Sequence, residues 1–198
     1  MKSFIVVGYY TRNSIYESAS QVLARSLNRH NIPYYIEGVD DLGSWIKNVN
    51  YKPTFIKRMM LKFIDTNIVY VDCDAEFLTY PSLFDTLDCN IAVHLFNRSL
   101  YVAGQWPDEV LSGTIFLKSC KETFELVDKW EQECINNPGK WDQKSLQKVL
   151  NGNFYKLPAE YCKIFDTMKS VKEPVIVHYQ LSRKMRRKNK FNNLRPSG

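Results

Sequence analysis

Ile68-Val69-Tyr70-Val71-Asp72-Cys73-Asp74 decides the fold: four apolar residues that read as a buried strand deliver two carboxylates, two residues apart, at its C-terminal end. In an extended chain residues i and i+2 point the same way, so Asp72 and Asp74 share a face. Two carboxylates on one face attract a hard divalent cation, and ligands of α/β sheets gather outside the carboxyl ends of the strands. A metal and a phosphate-bearing ligand are the implied occupants. An isolated D-x-D has a plainer reading, in which one Asp caps the next element and the other is solvated, so the surrounding sequence has to decide.

Working outward, Phe4 to Val7 before Gly8 predicts a first buried strand, and Ile15 to Arg29 a helix with Ala19, Val22, Leu23 and Leu27 at helical spacing. Pro33 stops that helix, Tyr34-Tyr35-Ile36 gives a second strand, and Tyr51 to Phe63 gives a helix with Ile56, Met59, Met60 and Phe63 on one face. Beyond Asp74, strands are expected at Cys89 to Leu95, Gly113 to Leu117 and Val175 to Tyr179, and helices at Cys120 to Cys134 and Gln143 to Leu150. This alternation predicts an α/β fold with a mostly parallel central sheet flanked by helices.

The 198 residues, 44% hydrophobic and 24% charged, have the composition of a globular protein, which excludes collagen-like and low-complexity classes. No run reaches the roughly 18 apolar residues of a membrane span, and a cytoplasmic location is expected. The five cysteines are scattered, with no C-x-x-C pair and no His at zinc-finger spacing. All 21 Asp and Glu lie at or before Glu173, whereas Arg183 to Arg195 holds seven of the 27 Lys and Arg; the rest of the chain, with 20 basic and 21 acidic residues, carries −1. One domain over 1–184 with a basic tail at 185–198 is therefore expected, and the near-neutral body weakens the case for a whole surface built for nucleic acid. Walker A, G-x-G-x-x-G, G-x-S-x-G and H-E-x-x-H sequences are all missing, which removes the usual support for P-loop, dinucleotide, serine-hydrolase and zinc-protease chemistry.

The segment VYVDCDAEFL, residues 69–78, resembles the D-x-D strand of GT-A fold nucleotide-sugar glycosyltransferases, especially the family 8 enzymes that include glycogenin and the lipopolysaccharide galactosyltransferases. His178 to Lys184 is similar to that family's H-F-x-G-x-x-K segment, Trp141 to Leu146 to its D-Q-D-x-L-N stretch, and Leu111 to Leu117 to its N-x-G strand start. Leu181, Met185-Arg186, Leu111 and Lys144 depart from the family pattern. The resemblance implies Mn²⁺ or Mg²⁺ held by Asp72, Asp74 and His178 on the donor diphosphate. It further implies Lys184 on that diphosphate, Lys57, Ser112 and Gly113 toward the donor, and Asp142 and Gln143 beside the sugar and the reacting carbon. Gly8-Tyr9-Tyr10-Thr11 falls where such enzymes form the nucleotide pocket, so Tyr9 and Thr11 are expected against the base and Gly8 at a close approach.

Each residue has a plainer role beside this one: His178 as a packed core histidine, Asp142 as the N-cap of the following helix, Trp141 as packing, Lys57 on a solvated helix face, and Gly113 at a bulge or tight strand entry. The expected activity is metal-dependent transfer of a hexosyl or pentosyl group from a nucleoside diphosphate donor, UDP-linked, to an acceptor hydroxyl. Resemblance to family 8 implies retention of configuration. An acceptor such as modified DNA or a glycan would suit the basic tail. Two rivals are a nucleic-acid-binding module using that tail, and a haloacid-dehalogenase-type phosphatase, in which D-x-D lies near the start of the chain.

Overall fold

A computed structural model describes residues 4–182. The boundary expected after residue 184, Lys184 itself and the basic tail lie outside the described residues.

The chain runs β1 (Phe4–Thr11), α1 (Ile15–Arg29), β2 (Tyr34–Val39), α2 (Trp45–Asn50), α3 (Lys52–Lys62), β3 (Asn67–Val71) and β4 (Ala75–Phe77). It continues through β5 (Ile91–Phe96), β6 (Glu109–Leu117), α4 (Lys121–Asn136), α5 (Asp142–Leu150), β7 (Tyr155–Lys156), β8 (Lys163–Ile164) and β9 (Ile176–His178). A six-stranded sheet is ordered β2-β1-β3-β6-β5-β7, and a small sheet is ordered β4-β9-β8. In the large sheet β6 alone is antiparallel to its neighbours, so the sheet is mostly parallel, as expected.

Period-two alternation divides the core. Val7 of β1 and Ile68 and Tyr70 of β3 pack with α3, α4 and α5 on one face, through Phe55, Ile56 and Trp130 among others. Val6, Val69 and Val71 face the other way, against Leu23 and Leu27 of α1 and against Phe77 and Ile176 of the small sheet. Local signals fix the ends of α1: the Ser14 side chain accepts from Tyr16 N, and the chain leaves the helix at His30, three residues before Pro33. Among the described residues, no helix is long and apolar enough to cross a membrane.

The helix expected over 51–63 is α3, with Pro53 in its first turn; a short α2 capped by Ser44, which was not anticipated, precedes it. Two expectations are corrected. Asp142 is the first residue of α5 and not its cap; Trp141 occupies the cap position. The close approach at Gly8 is made by a neighbouring strand: a Cβ there would lie 2.8 Å from the Val71 carbonyl oxygen. The small sheet was not anticipated, since strands of two and three residues are too short to show a period.

Candidate active site

The site forms where β3 ends. Asp72 N still donates to Gly113 O of β6 at 2.9 Å, and a turn closed by Ala75 N to Asp72 O at 3.1 Å sends the chain into β4. Pairing of β4 with β9 sets Ala75 opposite His178, and Tyr179 N donates to Asp74 O at 3.0 Å. A residue over a hundred positions away in sequence is thus fixed beside the acidic pair. Ligand atoms of Asp72, Asp74 and His178 lie within 4.8 Å of one another.

The chemistry of this trio fits a hard divalent cation: two carboxylates and an imidazole from two strand ends. His178 Nε2 is 2.8 Å from Thr114 Oγ1, and a proton placed on Nε2 leaves Nδ1 free to ligate. Burial drives the His178 pKa down to about 4, with Asp72 opposing and Lys52 adding to the shift, so the ring is neutral, the form a metal takes. Asp74 is pushed up to about 6 by burial and by the Asp72 charge, against the Leu181 N–H that donates to its Oδ2 at 2.9 Å. Two carboxylates under mutual repulsion are stabilised in their charged forms by a cation. Gly113 keeps this place open: a Cβ there would lie 3.2 Å from both Asp72 Oδ2 and His178 Nδ1. The glycine therefore serves close packing behind Asp72 and His178.

Beside the trio lies a group that sequence reasoning missed. Lys52, buried at the start of α3, sends Nζ to Asp142 Oδ2 at 2.8 Å and Asp72 Oδ1 at 3.1 Å. It also donates to Ser112 O and Oγ, both at 3.1 Å. Burial acts against its charge, but Asp142 and Asp72 outweigh it and hold the ammonium pKa above its ordinary value. Ser112 Oγ donates to Asp142 Oδ2 at 2.7 Å, Tyr70 OH donates to Asp72 Oδ1 at 2.9 Å, and Trp130 Nε1 donates to Asp142 O at 2.9 Å. One signal was available: a cation in the first turn of a helix opposes the helix dipole, so Lys52 needed a nearby acid to explain it.

These residues open into a cleft of about 470 Å³. Thr11, Ser112, Asp72, Asp74, Asp142 and Gln143 line it, and Gln143 Nε2 donates to Glu109 Oε2 at 3.4 Å. Two expected donor contacts are corrected. Lys57 points away from the cleft, held by Asp128 at 2.6 Å and Glu131 at 3.0 Å on α4; it faces solvent-side acids five residues, more than one helical turn, beyond Lys52. Tyr9 reaches the cleft floor, but its ring is buried against Tyr51, Phe55 and Tyr70 and its hydroxyl donates to Asn48 O at 2.7 Å, so it has no face to offer a base. Its neighbour Tyr10 lines the cleft.

A family model described as nucleotide-diphospho-sugar transferase matches residues 26–194. The chain is similar to a crystal structure of a glycosyltransferase involved in the glycosylation of the major capsid of PBCV-1, with a TM-score of 0.69, 19% identity, and coverage of 94% of this chain and 97% of that one. It is also similar to the apo form of the glycosyltransferase GlyE of Streptococcus pneumoniae TIGR4, with a TM-score of 0.64, 17% identity, and coverage of 89% of this chain and 54% of that one. No curated protein matches. At these identities the structural likenesses establish the fold.

Proposed function

Since the chain belongs to the nucleotide-diphospho-sugar transferase family, we propose that the cleft binds a UDP-linked sugar with a divalent metal and transfers the sugar to an acceptor hydroxyl with retention of configuration. The observation that carries this reading is the meeting, in one cleft, of Asp72 and Asp74, which lie beside the buried His178, with the buried Lys52–Asp142 pair.

Asp72, Asp74 and His178 would hold Mn²⁺ or Mg²⁺, which when bound supplies positive charge where the departing diphosphate becomes more negative. The protein's own groups do the positioning. Lys52 pairs with Asp142 and Asp72 together, one positive charge between two carboxylates, which fixes their directions. Asp142, steadied by Ser112, accepts hydrogen bonds from donor-sugar hydroxyls. Gln143 presents an amide toward the sugar, able to orient a reacting centre through hydrogen bonds and too weak a nucleophile to form a stable bond to it. Thr11 and Tyr10 border the nucleotide end.

A screen of nucleotide sugars with Mn²⁺, following donor hydrolysis without acceptor, tests the proposal. Turnover of a UDP-sugar that disappears in Asp72→Asn and Asp74→Asn supports it; no hydrolysis of any donor, or hydrolysis unchanged in both variants, sinks it.

A further inference from the structure

Trp45 and Trp141 meet at the mouth of the cleft. They come from elements far apart in sequence, the first residue of α2 and the cap position of α5, yet their rings stand 6.3 Å apart at 67° and both line the cavity. Each keeps more than a third of its surface exposed, 39% and 38%. Asn50 Nδ2, donating to Lys140 O at 2.9 Å, ties the end of α2 to the residue before Trp141, so the pair is held by more than its own contact.

Tryptophan is the side chain for which exposure forfeits the most apolar burial, and two in contact on a polar cleft wall indicate a surface completed by a ligand. Trp141 is adjacent to Asp142, which is buried in the ion-pair network, and to Gln143. Gln143, Glu109 and Arg98 line the same cleft, Glu109 accepting from Gln143 and Lys144 and Arg98 lying over the Trp106 ring. An apolar, electron-rich ring face in a cleft that also holds an amide, a carboxylate and a guanidinium matches one chemistry well: a pyranose, with a C–H face that packs on the ring and a hydroxyl rim that takes the hydrogen bonds. Large rigid aromatic anchors also cost little conformational entropy on binding.

We propose that Trp45 and Trp141 form the acceptor platform and that the acceptor is a carbohydrate, a pyranose whose hydroxyl is presented past Trp141 toward Gln143. This rests on the sugar-transfer reading of the same cleft. It narrows the acceptor to a glycan, with nucleic acid set aside, and needs nothing from the basic tail.

The test is saturation-transfer NMR on the full chain with a panel of methyl glycosides and with lactose, maltose and cellobiose, and with sorbitol as an acyclic polyol. Transfer to the ring C–H protons of at least one pyranose is expected, with none to sorbitol. Affinity should fall at least tenfold in Trp45→Ala and Trp141→Ala and be partly restored in Trp141→Phe. Thermal melting confirms that each variant is folded, and the phenylalanine variant serves where the alanine one is not. Absence of pyranose binding overturns the platform, as does binding unchanged in both alanine variants. Loss of UDP binding in place of saccharide binding also overturns it, by assigning the rings to the base. Failure of the sugar-transfer reading shows elsewhere, as absence of donor hydrolysis in the wild-type chain.

Discussion

Lys52 Nζ lies 2.8 Å from Asp142 Oδ2 and 3.1 Å from Asp72 Oδ1, so one buried ammonium joins the carboxylate at the end of β3 to the carboxylate that opens α5. The Asp72, Asp74 and His178 group and the Asp142–Gln143 corner are therefore joined electrostatically through Lys52. Whatever fixes Lys52 fixes the distance between Asp72 and the Asp142–Gln143 corner.

Replacing Lys52 by Met keeps the volume and strands two acids. Removing one partner of a buried ion pair costs about 3–5 kcal/mol, because the other is left charged and unpaired. Urea unfolding of Lys52→Met should show a loss of that order, and Lys52→Met with Asp142→Asn should recover a large part of it. A double variant no more stable than the single one would mean that the pair is not the source of the loss.

Mn²⁺ should raise the unfolding temperature of the wild-type chain in proportion to the logarithm of its concentration, since a ligand bound only by the folded state stabilises it by mass action. Asp74→Asn should remove most of that rise, and Lys57→Ala should leave it untouched, because Lys57 is held on α4 outside the cleft. Equal metal response in wild type and Asp74→Asn would count against the trio as a metal site.

How much of this was legible follows from what each signal depends on. The strand ending in Asp72-Cys73-Asp74 and the helix over Ile15 to Arg29 were readable because apolar period and punctuation are local. The meeting of His178 with the acidic pair was expected only by resemblance. Its physical cause is the register of β4 against β9, strands of three residues that leave no periodic trace. Lys52 and Lys57 show the limit most directly. Both are lysines of the same helix, and only the docking of α3 on α4 and β6 decides which enters the cleft and which meets Asp128 and Glu131. The Trp45–Trp141 contact joins positions 96 residues apart, beyond any local pattern.

Gly113→Ala tests whether the space beside the trio matters. The added methyl would sit 3.1 to 3.2 Å from His178 and Asp72 and must displace one of them by a few tenths of an ångström. Metal geometry is sensitive on that scale, so Mn²⁺ affinity should fall about tenfold, comparable with the loss of a group that orients a metal ligand. Stability without metal should change much less. Titration calorimetry showing unaltered Mn²⁺ affinity would confine Gly113 to strand packing.

The last expectation concerns His94, buried on β5 just past the register shift after Val93. Its Nδ1 sits 2.8 Å from Leu157 O and must donate to it, while Nε2 has no hydrogen-bond partner among the described residues. Burial lowers the pKa of this ring, against the weaker opposing pulls of the Leu157 carbonyl and the Glu160 charge. Protonation would place an unpaired N–H and a charge in the core. The unfolded chain, with an ordinary His near 6.5, therefore binds more protons than the folded one as pH falls. The contribution to stability is complete above about pH 6.5 and is lost as pH drops from there toward the folded-state value, with a slope of at most about 1.4 kcal/mol per pH unit. His178 and Asp74 titrate in the same region with opposite signs, so the wild-type curve alone does not isolate His94. Subtracting the curve of His94→Asn does, since an amide can keep the bond to Leu157 O and cannot take up the proton. Urea unfolding from pH 7.5 to 5 should show the gap between wild type and variant closing as the solution becomes more acidic; a gap independent of pH would mean that His94 takes up its proton over the same pH range in the folded and unfolded states.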